Sequence, residues 1–238
     1  MKSEKLSAID DALLIIEELK KQTDKVVLFY SGGKDSIVLL DLLSRHFKEV
    51  NLLFMYFVKG LEHIEKYVTW AEKKYNVKVK KVPHWILSRM YNESYYRLHT
   101  AQKVPNVKLI DIENAAKKHF DCEWIVTGMK KNDSLNRRLM LNTWYMGAIN
   151  LKSKRACPLS NWRKNDCLYY IKQNKLPMPI SYDSKNSSGA ALTPEFLTYC
   201  KTHYPKDYEK VLQQFPFAEV ILINFNNEQN NKIPKVSD

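Results

Sequence analysis

Six consecutive residues, Ser31-Gly32-Gly33-Lys34-Asp35-Ser36, constrain this chain more than any other segment, because they must turn a strand into a helix. Upstream, Lys25 to Tyr30 carries the β-branched and aromatic run Val26-Val27-Leu28-Phe29-Tyr30, whose continuous apolar character predicts a strand covered on both faces. Downstream, Ser36 to Phe47 returns to helical period. Gly32 and Gly33 give the turn backbone freedom and room for close approach, so that successive amide N–H groups can face one anion. Ser31 and Ser36 add hydroxyl donors, Lys34 adds charge, and the positive end of the helix points the same way. Phosphate or pyrophosphate suits such a loop. The pattern is not that of kinase and GTPase P-loops, which place four residues between the first glycine and Gly-Lys-Ser/Thr.

Beyond the loop, strands and helices alternate. Apolar residues from Leu6 to Leu19 recur at helical spacing, Val50 to Phe57 is apolar, Leu61 to Tyr75 is helical, and Val77 to Val82 is a short alternating strand. His84 to Thr100 reads as a helical excursion rich in aromatics, and His84 and His99 at its flanks read as structural or surface residues. A helix over Ile110 to Phe120 leads into a fourth strand, Trp124 to Thr127, ending at Gly128. Asp166 to Asn174 and Pro194 to Gln214 are helical, the latter opening on Thr193-Pro194-Glu195, an N-cap followed by proline at the first helical position. Asn226 to Asp238 reads as a polar, frayed tail. The aromatic spots Trp85 with Tyr91, Tyr95-Tyr96 and Trp144-Tyr145 fit core packing better than base stacking. The alternation predicts a doubly wound α/β sheet.

A chain of 238 residues, 45% of them hydrophobic, can bury one substantial core. No run reaches the length of a membrane span and the N-terminus lacks the apolar core of a signal peptide, so the expected setting is cytoplasmic, without a membrane partner. Cys122, Cys157, Cys167 and Cys200 form no CxxC pair and read as reduced, buried thiols; no iron–sulfur cluster is expected. The formal charge of +12 would draw polyanions, which makes DNA or RNA a candidate partner, although the basic residues are spread along the chain and also suit a solvated surface.

The segment Tyr30 to Ser36 resembles the PP-loop of the N-type ATP pyrophosphatases, most closely that of the phosphoadenosine phosphosulfate (PAPS) reductase family. A second stretch, Thr127-Gly128-Met129-Lys130-Lys131-Asn132-Asp133-Ser134 followed by Arg137 and Arg138, resembles that family's basic segment after its fourth strand. A third, Cys157-Pro158-Leu159-Ser160-Asn161-Trp162 with Tyr169, Tyr170, Ile171 and Leu176-Pro177, resembles its Pro-Leu-x-x-Trp stretch and the helix after it. The resemblance implies a mostly parallel five-stranded sheet of the adenine nucleotide alpha hydrolase-like type, with helical additions and the nucleotide at the carboxyl ends of the strands. It divides the chain into an N-terminal helix (1–24), a PP-loop nucleotide-binding α/β domain (25–185) and a C-terminal helical segment with a polar tail (186–238). It assigns Ser31, Gly32, Gly33, Lys34, Asp35 and Ser36 to the phosphates, and Gly128, Lys130, Lys131, Ser134, Arg137 and Arg138 to the second side of the same anion. Read without the resemblance, those cations suit a phosphate pocket and a solvated charge run equally.

The implied ligand is ATP or PAPS, with Mg²⁺, and the implied catalytic residues are Lys34, Asp35 and Lys130. Asp35 is the candidate metal ligand or else a helix cap; Glu62 and Glu65 are approximate acidic candidates after the second strand. The family's reductases carry a nucleophilic cysteine in a Glu-Cys-Gly-x-His segment, and Leu197 to His203 around Cys200 is not that segment. The expected activity is therefore adenylyl transfer with release of pyrophosphate. Reduction of PAPS or adenylyl sulfate and a non-catalytic, nucleotide-dependent role beside a partner protein or DNA are the alternatives.

Overall fold

In the computed structural model, residues 7–98, 103–180 and 192–232 are described. They form two compact units, one from residues 7–55, 67–82 and 109–180, the other from residues 56–66, 83–98, 103–108 and 192–232. The elements run α1 (Ala8–Lys20), β1 (Lys25–Phe29), α2 (Lys34–His46), β2 (Glu49–Tyr56), α3 (Glu62–Tyr75), β3 (Val79–Pro83), α4 (Ile86–Asn92), α5 (Leu109–Phe120) and β4 (Ile125–Val126). They continue through α6 (Leu135–Asn142), β5 (Ile149–Asn150), β6 (Arg155–Ala156), α7 (Lys164–Gln173), α8 (Pro194–His203), α9 (Pro205–Gln214) and α10 (Glu219–Lys232).

The first unit is built on a six-stranded, mostly parallel sheet in the order β3-β2-β1-β4-β6-β5. Strand β1 runs parallel to β2, with Leu28 opposite Leu52, and parallel to β4, with Leu28 opposite Val126. Its Val26, Val27 and Leu28 are fully buried, as a strand with neighbours on both edges and cover on both faces requires. Strand β4 pairs parallel with β6, and β5 adds an antiparallel edge to β6. That edge is the sixth strand. With two residues each, β5 and β6 are too short to leave a periodic signal in the sequence.

Helix α2 is buried on all sides from Ser36 to Leu43, and Ile37, Val38, Leu39, Leu40 and Leu43 are fully buried. Burying such side chains contributes about 1.5–3 kcal/mol each and fixes where the helix can start. Its buried Asp41 accepts from Tyr75 Oη (2.8 Å), Tyr170 Oη (2.8 Å) and Arg45 Nη2 (2.7 Å), which ties α2 to α3 and α7. Glu113, buried on α5, pairs with the partly buried Arg155 on β6 and links that helix to the sheet.

In the second unit Val58, Leu61, Leu87, Phe196, Leu197, Val211 and Phe215 pack as one cluster. Asp207 is buried there, accepting from the backbone N–H groups of Glu62 (2.8 Å) and His63 (3.0 Å) and facing His63 Nδ1 at 2.6 Å. The single helix expected over Pro194 to Gln214 is two. Thr193 Oγ1 caps α8 by accepting from Phe196 N, and the chain breaks at Tyr204, whose successor Pro205 has no N–H to continue the ladder and starts α9. The polar tail expected from Asn226 is helical to Lys232, because α10 begins upstream in the apolar run Val220-Ile221-Leu222-Ile223; residues 233–238 lie outside the described residues. The expected excursion over His84 to Thr100 shortens to α4, followed by a turn with positive φ at Ser94 and Tyr96; His99 and Thr100 lie outside the described residues. Trp144 is buried and Tyr91 packs on the second unit's core, whereas Tyr95 and Tyr145 are exposed. Among the described residues no helix is long and apolar enough to cross a membrane.

Candidate functional site

Strand β1 ends at Phe29, and the next residue, Tyr30, is a buried side chain whose hydroxyl donates to Tyr67 O (3.0 Å) and so fixes where the loop begins. Gly32 then takes φ +72°, a left-handed conformation that a side chain would strain. The expected hydroxyl donors, Ser31 and Ser36, fasten the loop to itself. Ser36 Oγ donates to Gly33 O (2.9 Å) and accepts from Ser31 N (3.2 Å), while Gly33 N donates to Ser31 Oγ (3.3 Å). Gly33 occupies the N-cap of α2 and brings no side-chain oxygen to it, unlike Ser7 on α1, Ser134 on α6 and Thr193 on α8. The α2 terminus therefore keeps its partial positive charge without a polar side chain from its own cap.

Lys34 and Asp35 open α2. Asp35 Oδ2 accepts from Lys130 Nζ at 2.6 Å and from Lys34 Nζ at 3.3 Å, and Asp35 Oδ1 accepts from Cys167 Sγ at 3.1 Å. Burial opposes ionisation of Asp35, but the Lys130 and Lys34 ammonium groups and the Cys167 donor hold its carboxyl below the usual carboxylate range. Burial likewise works against the charge on Lys130, and Asp35 and Asp133 more than restore it, raising its pKa. Two cations and a thiol around one carboxylate do not fit it as a magnesium ligand. Among the described residues no group of three or more His, Cys, Asp or Glu side chains could hold a metal ion.

Gly128 lies at a close approach of two backbones. A Cβ there would lie 2.9 Å from Asp35 Cβ, so glycine lets the chain leaving β4 pass against the first turn of α2. The segment's cations then part. Lys130 is buried against Asp35, Lys131 donates its N–H to Ser160 O (2.8 Å) and carries its ammonium to Gly147, and Arg137 pairs with Asp133 (2.7 Å). Arg138 is exposed, with Nε 3.4 Å from Lys131 O, and Ser134 caps α6 by accepting from Arg137 N (3.2 Å). Glu62 is exposed in the first turn of α3.

Sequence reasoning missed two members of this cluster. Asp133 accepts from Lys130 N (2.9 Å) and stands 3.5 Å from Lys130 Nζ, and its i+3 and i+4 spacing to Lys130 and Arg137 is a signal that was available. Cys167, 132 positions from Asp35, left none. All four cysteines are buried and free. Burial raises the Cys157 thiol to about 11 and the Cys200 thiol to about 12, and raises Cys122 and Cys167 as well. Exposed His203 thus sits beside a fully buried, protonated Cys200.

Residues 25–194, which carry the loop, Lys130 and the sheet, match the phosphoadenosine phosphosulfate reductase domain. The chain belongs to the PAPS reductase family. A curated relative, the adenosine 5'-phosphosulfate reductase of Shouchella clausii (strain KSM-K16), is 26% identical over 168 residues, 67% of this chain and 66% of the relative. The match thus spans just under two thirds of that relative's length. Similar solved structures include the PAPS reductase from Candida auris in a phosphate complex, 18% identical with TM-score 0.44 over 74% of this chain and 91% of that one. Another is the NH3-dependent NAD synthetase from Campylobacter jejuni subsp. jejuni NCTC 11168 in complex with nitrate, 17% identical with TM-score 0.44 over 97% of each chain. Membership of this family supports an adenine nucleotide as a ligand of the chain.

Proposed function

We propose that the first unit binds an adenine nucleotide with its phosphates on the Ser31–Ser36 loop and transfers the adenylyl group to an acceptor. The acceptor oxygen attacks the α-phosphorus, the bond to the bridging oxygen breaks, and pyrophosphate leaves with that electron pair. Lys34 and Lys130 would neutralise the charge that builds on the phosphates, while the loop amides and the α2 terminus hold them in line. The observation that carries this reading is the buried Lys130 ammonium held against the first turn of α2, where the cap contributes no side chain of its own. The overall charge of +12 favours a nucleic acid as acceptor.

A second reading follows from family membership: PAPS or adenylyl sulfate occupies the loop and a thiol reduces it. The raised pKa and burial of Cys122, Cys157, Cys167 and Cys200 count against these four as the nucleophile. One pair of assays separates the readings, namely pyrophosphate release from ATP with DNA or RNA, and sulfite release from PAPS or adenylyl sulfate with reduced thioredoxin. The proposal expects pyrophosphate that depends on Lys130. Sulfite without pyrophosphate would overturn it in favour of reduction, and tight nucleotide binding with neither product would leave a regulatory binding protein.

A further inference from the structure

We propose that Cys167 is a positioning residue of the nucleotide site, its S–H fixing Asp35 so that Asp35 in turn holds the Lys130 ammonium at the start of α2. The inference rests on the nucleotide-binding reading above and deepens it.

A carboxylate anchored by one oxygen can turn about its last side-chain bond and offer either edge to a cation. Asp35 cannot, because its two oxygens are divided. Cys167 Sγ lies 3.1 Å from Oδ1, and Lys130 Nζ lies 2.6 Å from Oδ2. Cys167 itself has no freedom to drift, being fully buried on α7, a helix that packs along α2 and is tied to it through Tyr170 and Asp41. On the other side, Asp133 fixes Lys130 by its backbone N–H and stands 3.5 Å from its ammonium, and Arg137 closes on Asp133. Three cations, Lys34, Lys130 and Arg137, thus surround two carboxylates, Asp35 and Asp133. Burial and the neighbouring Asp35 charge both raise the Cys167 pKa, so the thiol stays a hydrogen-bond donor at neutral pH. Its chemistry in the site is that of a donor, and a serine hydroxyl could replace it where an alanine could not.

Two measurements test this. The S–H stretching band of Cys167, isolated by infrared difference against Cys167→Ser, should lie below the frequency of a free thiol and return toward it in Asp35→Ala; a free-thiol band in the wild type would overturn the thiol–carboxylate link. Calorimetric titration with ATP, PAPS and adenylyl sulfate should show Cys167→Ala weakened about fivefold, with Cys167→Ser restored to within about twofold of wild type. Melting temperatures of both variants separate packing from positioning. Equal losses in Ala and Ser that track melting temperature, or wild-type affinity in Cys167→Ala, would overturn the positioning role. A wild type that binds none of the three nucleotides would overturn the underlying reading and this inference together, whereas nucleotide binding lost in Lys130→Ala but untouched in Cys167→Ala would overturn this inference alone.

Discussion

Lys130 Nζ lies 2.6 Å from Asp35 Oδ2, an ion pair that joins the chain leaving β4 to the first turn of α2. The Lys130 side chain is 5% exposed and that of Asp35 is 24% exposed, so neither charge can be shed to water cheaply. The pair ties the stability of the sheet's carboxyl edge to the shape of the anion loop.

Removing one partner should therefore cost more than removing both. Lys130→Ala leaves the Asp35 carboxylate largely buried with the more distant Lys34 and the Cys167 thiol beside it, and the expected loss is about 3 kcal/mol in urea unfolding. The double variant Lys130→Ala/Asp35→Ala should lose less than the sum of the single changes. A Lys130→Ala change within about 0.5 kcal/mol of wild type, as at an ordinary surface site, would contradict this role.

Gly128 is predicted to be intolerant of even one methyl group. The Cβ of Gly128→Ala would meet Asp35 Cβ at 2.9 Å, and overpacking of this kind costs about 1–3 kcal/mol. Because the atom that must yield belongs to Asp35, nucleotide affinity should fall along with stability. A variant that is destabilised yet binds as wild type would show that the contact matters only to packing.

Thiol chemistry offers an independent check. With all four cysteines buried and their thiols raised, brief iodoacetamide treatment of the native protein should modify none of them, and treatment in urea should modify all four. Mass spectrometry of the digest reads this directly. Rapid native labelling of Cys200 would restore it as a candidate nucleophile.

Stability should fall as the solution turns acidic, first through histidine. His84 stacks on Phe57 at 4.4 Å, its Nδ1 faces Ile86 N, and burial lowers its pKa from the ordinary 6.5. Burial also lowers His63, outweighing the opposing pull of Asp207. The unfolded chain takes up these protons near pH 6.5 while the folded one resists, so their contribution is complete above about pH 6.5 and declines below it. Asp35 and Asp207, both held below 3.8, contribute fully above about pH 3.8 and lose that contribution as the pH falls from there through their lowered folded values. Denaturant midpoints taken between about pH 8 and pH 5 should decline on the acid side and flatten in His84→Gln. A level profile in the wild type would contradict the assignment.

The strand-to-helix turn at Ser31–Ser36 was legible because its residues are contiguous and lie between an apolar strand and a periodic helix. Long periodic elements such as α1, α2, α3 and α5 were legible for the same local reason. What stayed hidden was set by distance or brevity. Cys167 reaches Asp35 across 132 positions, β5 and β6 have two residues each, and α6 was masked as a run of cations until Ser134 was seen to cap it. The break between α8 and α9 was legible in Pro205, whose missing N–H outweighs the continuous helical period around it.

The central claim is that the Ser31–Ser36 loop holds the phosphates of an adenine nucleotide, and isothermal titration of ATP, PAPS and adenylyl sulfate into wild type and Lys34→Ala tests it most directly. The account predicts that at least one of the three binds the wild type and that Lys34→Ala binds it more weakly by about 1.5–3 kcal/mol, the range for hydrogen bonds to charged groups, with the melting temperature of the unliganded protein little changed. Equal affinity in the two proteins would contradict it.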